Sequence, residues 1–206
     1  MSDNIKVAVR LRSPLPREHG QPVVTQVTSP TSFVIQQHIS TSSLLATEDF
    51  TQGKIFTFDH CFKYSESASH DQEVIYDTIG REYLLHTLDG YNTCILAYGQ
   101  TGSGKSFTMM GPEVSKHSQN NDTAPDRAIE NSAIGIIPRV CCDLFDICNM
   151  CDSEEDGIKT QFEIYCSYLE IYNEQVRDLL SEDGNKCRVR ERADKTTFVE
   201  GLNEFK

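Results

Sequence analysis

Gly99-Gln100-Thr101-Gly102-Ser103-Gly104-Lys105-Ser106 has the spacing G-x-x-x-x-G-K-[ST]. Glycines so placed let the backbone turn tightly and aim successive N–H groups inward, which builds a concave seat for phosphate oxygens. The lysine reaches the outer phosphates, and the hydroxyl of Ser106 can ligate Mg²⁺. The flanking residues supply a matching context. Cys94-Ile95-Leu96-Ala97-Tyr98 is an apolar run that predicts a buried parallel strand. Lys105-Ser106-Phe107-Thr108-Met109-Met110 contains neither Gly nor Pro and predicts a helix. Strand, loop and helix in that order place the partial positive charge of a helix N-terminus behind the bound phosphates.

The rest of the composition narrows the class. A chain of 206 residues is one domain or part of a larger one, and 38% hydrophobic with 24% charged residues is the balance of a folded globular chain. The formal net charge of −12 argues against a nucleic-acid-binding surface. No apolar run approaches the length of a membrane span, and the start, Met1-Ser2-Asp3-Asn4-Ile5-Lys6, has no apolar signal core, so a cytoplasmic location is expected. The 8 cysteines accordingly read as thiols and not as a disulfide framework.

Periodicity predicts most of the elements. Ile5 to Arg12 alternates as a strand, ended by Ser13-Pro14, and Val23 to Val27, Ser32 to Gln36 and Ile55 to Asp59 are further strands. Ser40 to Gly53 reads as an exposed loop, and residues 112–133 as a surface-loop insertion. Asp71 to Leu88 reads as a helix closed by Asp89-Gly90, with an apolar side of Val74, Ile75 and Ile79 expected to stay partly exposed. Ile137, Val140, Cys141, Leu144, Phe145 and Cys148 recur at helical spacing, with Pro138 in the first turn. Cys141 and Cys148 lie on that stripe, Cys142 off it, and Cys151 follows. One straight helix cannot converge four ligands on a metal, so buried thiols are expected. Phe162 to Tyr172 reads as a long strand, Asn173 as the cap of a short helix from Glu174 to Leu180, and residues 187–199 as a hairpin. Glu154-Glu155-Asp156 reads as a solvated acidic run, and the six histidines form no metal-spaced pair.

These residues resemble one family, the kinesin motor domain, from Ile5 almost to the end of the chain. Phe56-Thr57-Phe58-Asp59-His60-Cys61-Phe62 is similar to the family's F-x-F-D-x-x-F strand, and Gly90 to Ser106 to its G-Y-N-x-x-I-x-A-Y-G-Q-T-x-x-G-K-[ST] block. Gly135-Ile136-Ile137-Pro138-Arg139 and Tyr168-Leu169-Glu170-Ile171-Tyr172-Asn173-Glu174 are two more of its signatures, in the expected order. Lys105 to Gly111 and Arg188 to Glu191 resemble the often monomeric, cargo-transporting class with forkhead-associated domains.

The resemblance implies an α/β fold of the P-loop NTPase type, a mixed central sheet with helices on both faces, here incomplete. It implies ATP and Mg²⁺ as cofactors, held by Gly99, Gln100, Thr101, Gly102, Ser103, Gly104, Lys105 and Ser106, with Ser106 on the metal. Phe107 falls where the family places a ring beside the adenine. Arg10 and Arg12 fall in its adenine-side R-x-R-P motif, although Ser13 stands where the proline belongs and Pro14 comes one residue later. The implied partner is the microtubule, and the implied location the cytoskeleton. The family's N-x-x-S-S-R-S-H and D-x-A-G-x-E switch strings do not occur in this sequence. Residues 1–206 are therefore read as the N-terminal half of such a domain, with catalytic residues unassigned. The main tubulin contacts are expected outside these residues, leaving Arg188, Arg190 and Arg192 as candidates here. Two readings compete: the ATP-binding part of a motor that couples hydrolysis to movement along microtubules, or a non-catalytic nucleotide-binding or interaction protein. A P-loop kinase or GTPase is disfavoured, because a guanine-reading N-K-x-D string is absent.

Overall fold

A computed structural model describes residues 5–36, 53–112, 133–151, 162–182 and 186–206. The acidic run Glu154-Glu155-Asp156, and all but the edges of the 40–53 loop and the 112–133 insertion, lie outside them. The chain divides into two units, Met1–Asp146 and Ile147–Lys206, each described by itself.

In the first unit, β1 (Ala8–Arg10) pairs in parallel with β5 (His60–Phe62), register Val9 opposite Cys61. Only three residues of the expected Ile5–Arg12 strand form a ladder. A second sheet is antiparallel, in the order β2 (Thr25–Ser29), β3 (Ser32–Ile35), β4 (Lys54–Thr57). Phe33 and Val34 of its central strand are buried, as are Cys61, Ile75, Tyr76, Leu84 and Ile136.

The helix expected over residues 71–88 is present and begins earlier. Ser67 caps α1 (Ala68–Ile75) by accepting from the His70 amide at 3.3 Å. A π-type turn, Tyr76–Gly80, then leads into α2 (Arg81–Leu88). Asp89-Gly90 ends it, with Gly90 at φ 92°. Of the apolar side, Val74 is exposed whereas Ile75 is buried and Ile79 half-buried. The Tyr76 hydroxyl donates to Asp143 at 2.7 Å, and Arg81 reaches the same carboxylate at 2.9 Å. Burial and the Asp143 bond push the phenol well above the ordinary tyrosine range.

The helix α3 (Lys105–Met110) follows the glycine-rich loop, and α4 (Ile136–Cys151) follows Gly135. A Cβ at Gly135 would sit 2.5 Å from the backbone of Met109, so the two segments touch main chain to main chain. Three expectations are corrected in this region and the next. Cys94–Tyr98 makes no strand ladder among the described residues: Ile95 and Ala97 are half-buried, whereas Leu96 and Tyr98 are 84% and 96% exposed. An apolar run becomes a buried strand only when others lie beside it, and none of the described strands does. The thiols of α4 are not buried either. Cys141 and Cys142 are exposed and Cys148 is half-buried, because only part of the apolar stripe meets a neighbour. No cluster of potential metal ligands occurs among the described residues.

The second unit is a four-stranded antiparallel sheet, β6 (Leu169–Tyr172), β7 (Gln175–Asp178), β8 (Lys186–Glu191) and β9 (Thr197–Glu200), in that order. The long strand expected from Phe162 is reduced to β6 plus one bridge, Cys166 to Phe205. The third correction is the short helix after Asn173. Tyr172 pairs directly with Gln175, and Asn173 and Glu174 sit at φ 48° and 61°, a two-residue hairpin turn of the I′ kind. Asparagine suits both a helix cap and a left-handed turn, and the flanking β-formers Ile171, Tyr172 and Val176 select the turn. The 187–199 hairpin forms as expected, with Val189 opposite Val199. Asp178, the buried last residue of β7, accepts from the amides of Leu180 and Asn203 at 2.9 Å each.

Candidate nucleotide site

The loop closes on itself through backbone and lysine. The Ser103 amide donates to the Gln100 carbonyl at 3.1 Å. Gly104 stands at the N-cap of α3 with φ 99°, a left-handed conformation that an L side chain adopts only at a cost of about 1–2 kcal/mol. At Gly99 space is also limiting, since a Cβ there would lie 2.6 Å from Ser103 Oγ. The ammonium of Lys105 donates to the carbonyl oxygens of Gly99 and Gln100, each at 2.9 Å. Two of its three hydrogens hold the loop, and one is left over.

The donors that remain define what the loop can accept. Among the described residues, the amides of Thr101, Gly102 and Gly104 make no hydrogen bond, and neither does the hydroxyl of the exposed Ser106. Those groups, with the spare Lys105 hydrogen and the orphan N–H groups of the first helical turn, converge on one stretch of backbone. That donor set fits the oxygens of a polyphosphate, and the Ser106 hydroxyl fits a hard cation riding on them.

Behind the loop stands a second cluster. NH1 of Arg10 donates to Gln72 Oε1 at 2.7 Å and to Thr108 Oγ1 at 2.8 Å. Its guanidinium carbon lies 5.4 Å from the centroid of the Phe107 ring, within cation–π range. Burial holds this guanidinium below the ordinary arginine range. Arg12 is engaged elsewhere. Its NH1 and NH2 clasp the Glu18 carboxylate at 2.7 and 2.6 Å, and Glu18 also accepts from the Leu15 amide at 2.9 Å. The Arg12 bond first, then the Leu15 amide, bring the Glu18 carboxyl down to about 2.

The structure thus brings Arg10 and Phe107 together next to the loop, while Arg12 faces Glu18. In the second unit, Arg190 pairs with Glu200 at 2.9 Å and Arg192 lies over the Phe198 ring at 4.5 Å. Arg188 is exposed, and its side chain makes no hydrogen bond or ion pair among the described residues. Sequence reasoning missed Gln72, which is 1% exposed and sits at the centre of the Arg10 cluster. Its signal was present: a polar residue three and four positions before the buried Ile75 and Tyr76 lies on the inward side of α1.

Comparison with known proteins identifies the family. The family model for the kinesin motor domain matches residues 10–206. Human kinesin-like protein KIF13B is 37% identical over 207 residues, covering 98% of this chain and 10% of that protein. Kinesin-like protein unc-104 of Caenorhabditis elegans is 36% identical over 206 residues, covering 98% of this chain and 11% of that protein. A solved structure, described as a fast kinesin with implications for ATPase mechanism and interactions with microtubules, superposes with a TM-score of 0.69 at 28% identity. It covers 98% of this chain, and this chain covers 48% of it. The chain therefore spans about a tenth of the curated relatives it matches and about half of that structure. A kinesin motor domain model matched over residues 10–206, with relatives 37% and 36% identical across nearly the whole chain, places this protein in the kinesin motor domain family.

Proposed function

We propose that this chain is the ATP-binding part of a kinesin-like microtubule motor, which couples ATP hydrolysis to movement along the cytoskeleton. The observation that carries the proposal is the unspent donor set of residues 99–106, held by the Lys105 bonds to Gly99 and Gln100. Thr101, Gly102 and Gly104 present backbone N–H groups to the phosphates, Ser103 ties the loop together through its amide, Lys105 meets the outer phosphates, and Ser106 would hold Mg²⁺. A Mg²⁺ held by Ser106 would supply charge neutralisation to the phosphates. Arg10 and Phe107 form the base side of the site. Arg12 fixes the Leu15–Glu18 turn through Glu18, a narrower role than the motif implies.

For the microtubule, the exposed side of β8 offers Arg188 and Arg190 at alternate positions on one face of a hairpin, with Arg192 just past the end of the strand. Such a face suits an acidic polymer surface. Arg188 carries most of that contact, since Arg190 and Arg192 already have partners. No helix among the described residues is long and apolar enough to cross a membrane.

The test is nucleotide affinity and microtubule-stimulated ATP turnover measured on the 206-residue chain. Saturable Mg·ATP binding, lost in Lys105→Ala, supports the site. Unchanged affinity in that variant refutes it. Tight binding without turnover assigns the chain the binding role alone and turns the choice toward a non-catalytic nucleotide binder.

A further inference from the structure

We propose that Gln72 is a positioning residue of the nucleotide site, whose side-chain amide fixes the Arg10–Phe107 platform and ties it to the start of α4. The inference rests on the reading of residues 99–107 as that site. Gln72 uses both ends of its amide. Its Oε1 accepts from Arg10 NH1 at 2.7 Å, and its Nε2 donates to the carbonyls of Phe107 at 2.6 Å and Ala133 at 3.2 Å. Three segments distant in sequence, β1, α3 and the 133–135 approach to α4, therefore share one side chain.

The bonding is asymmetric in an informative way. Both hydrogens of Arg10 NH1 are spent, on Gln72 and on Thr108. Among the described residues, Nε and NH2 of the same guanidinium take no partner, although burial lowers its pKa. A guanidinium anchored by one nitrogen, laid on an aromatic ring and left with donors unspent is arranged to meet a further acceptor. The neighbouring arginine, Arg12, is turned toward Glu18 and Ser13, which take both NH1 hydrogens and one from NH2. Gln72 thus holds Arg10 beside the Phe107 ring, while Glu18 holds Arg12. An apolar residue at position 72 would leave NH1 half-satisfied and the Phe107 carbonyl with only the Gly111 amide, and the ring would lose its registry with Arg10.

A residue that positions only the base side makes a prediction that general stabilisation does not. Calorimetric binding of ATP and of inorganic tripolyphosphate to the full chain separates the base and phosphate contributions. Gln72→Leu should weaken ATP about tenfold while tripolyphosphate changes by less than about twofold. Thr108→Val, which removes the second acceptor on Arg10 NH1, should shift the same ratio in the same direction by about threefold. Equal losses of both ligands in Gln72→Leu, or unchanged ATP affinity, overturn the proposal. Should Gln72→Leu show no cooperative unfolding, Thr108→Val decides alone, and an unchanged ratio there overturns it. Lys105→Ala separates this from the site assignment: it should lose both ligands, and retention of both removes the site and the proposal with it.

Discussion

Replacing Glu174 by glycine should stabilise the protein, and the sign of the effect discriminates between two local structures. Glu174 is the second residue of the Asn173-Glu174 turn and holds φ 61°. An L residue in that conformation costs about 1–2 kcal/mol, which glycine does not incur. Glycine gives back about 0.5–1 kcal/mol through the greater freedom of the unfolded chain. The Glu174 side chain is exposed and has no hydrogen bond or ion pair among the described residues, so no contact is lost. The net expectation is about 0.5–1 kcal/mol of added stability. In urea denaturation followed by circular dichroism, that shifts the midpoint upward by about 0.3 M or more with an unchanged slope. Had Asn173 capped a helix, glycine would have entered its first turn and cost about 1 kcal/mol. A lowered midpoint for Glu174→Gly would refute the hairpin reasoning.

Gly99→Ala should weaken ATP binding by about tenfold, because Gly99 holds φ 153°, where L side chains rarely sit, and its Cβ would displace the Ser103 hydroxyl 2.6 Å away; fluorescent-nucleotide titration reads this directly. The Glu18 carboxyl, lowered from 4.5 to about 2 in the folded chain, contributes stability that is fully present above pH 4.5 and is lost as pH falls through about 2. Glu18→Gln should therefore show a smaller loss of stability than wild type between those pH values, seen in acid titrations of the unfolding midpoint. Leu96→Ser should change stability by no more than about 0.5 kcal/mol, because Leu96 is 84% exposed, and should reduce binding of a hydrophobic dye. Unchanged dye fluorescence would show that this face is covered.

The phosphate loop was legible because its chemistry is written in consecutive residues: glycine spacing, lysine and hydroxyl need no distant partner to be recognised. The same locality made the β8–β9 hairpin and the helix over residues 71–88 readable from alternation and turn residues. What escaped depends on who lies beside whom. Cys94–Tyr98 has the composition of a central strand, but laddering is a property of pairs. Cys141 and Cys142 have helical spacing, but burial is decided by the facing surface. Asn173 obeys two local rules at once, and only its neighbours in β6 and β7 choose between them. Gln72 was passed over because an amide amid apolar spacing looks like an exception until its three partners are known. Arg10 and Arg12, two residues apart and alike in sequence, part company only when Glu18 folds back on one of them.

The wide turn between α1 and α2 acts as a phase setter. Nine positions at about 100° each would put Ile75 and Leu84 on opposite sides of an uninterrupted helix, some 180° apart. Yet both are buried, at 3% and 6% exposure. The extra residue accommodated in Tyr76–Gly80 takes back about one step of rotation, which brings the two within roughly 80° of each other. One rod thereby presents two successive inward sectors that its sequence spacing alone would have set back to back. The length of that segment is consequently quantised: gaining or losing a single residue there would swing the whole of α2, and Leu84 with it, out of alignment.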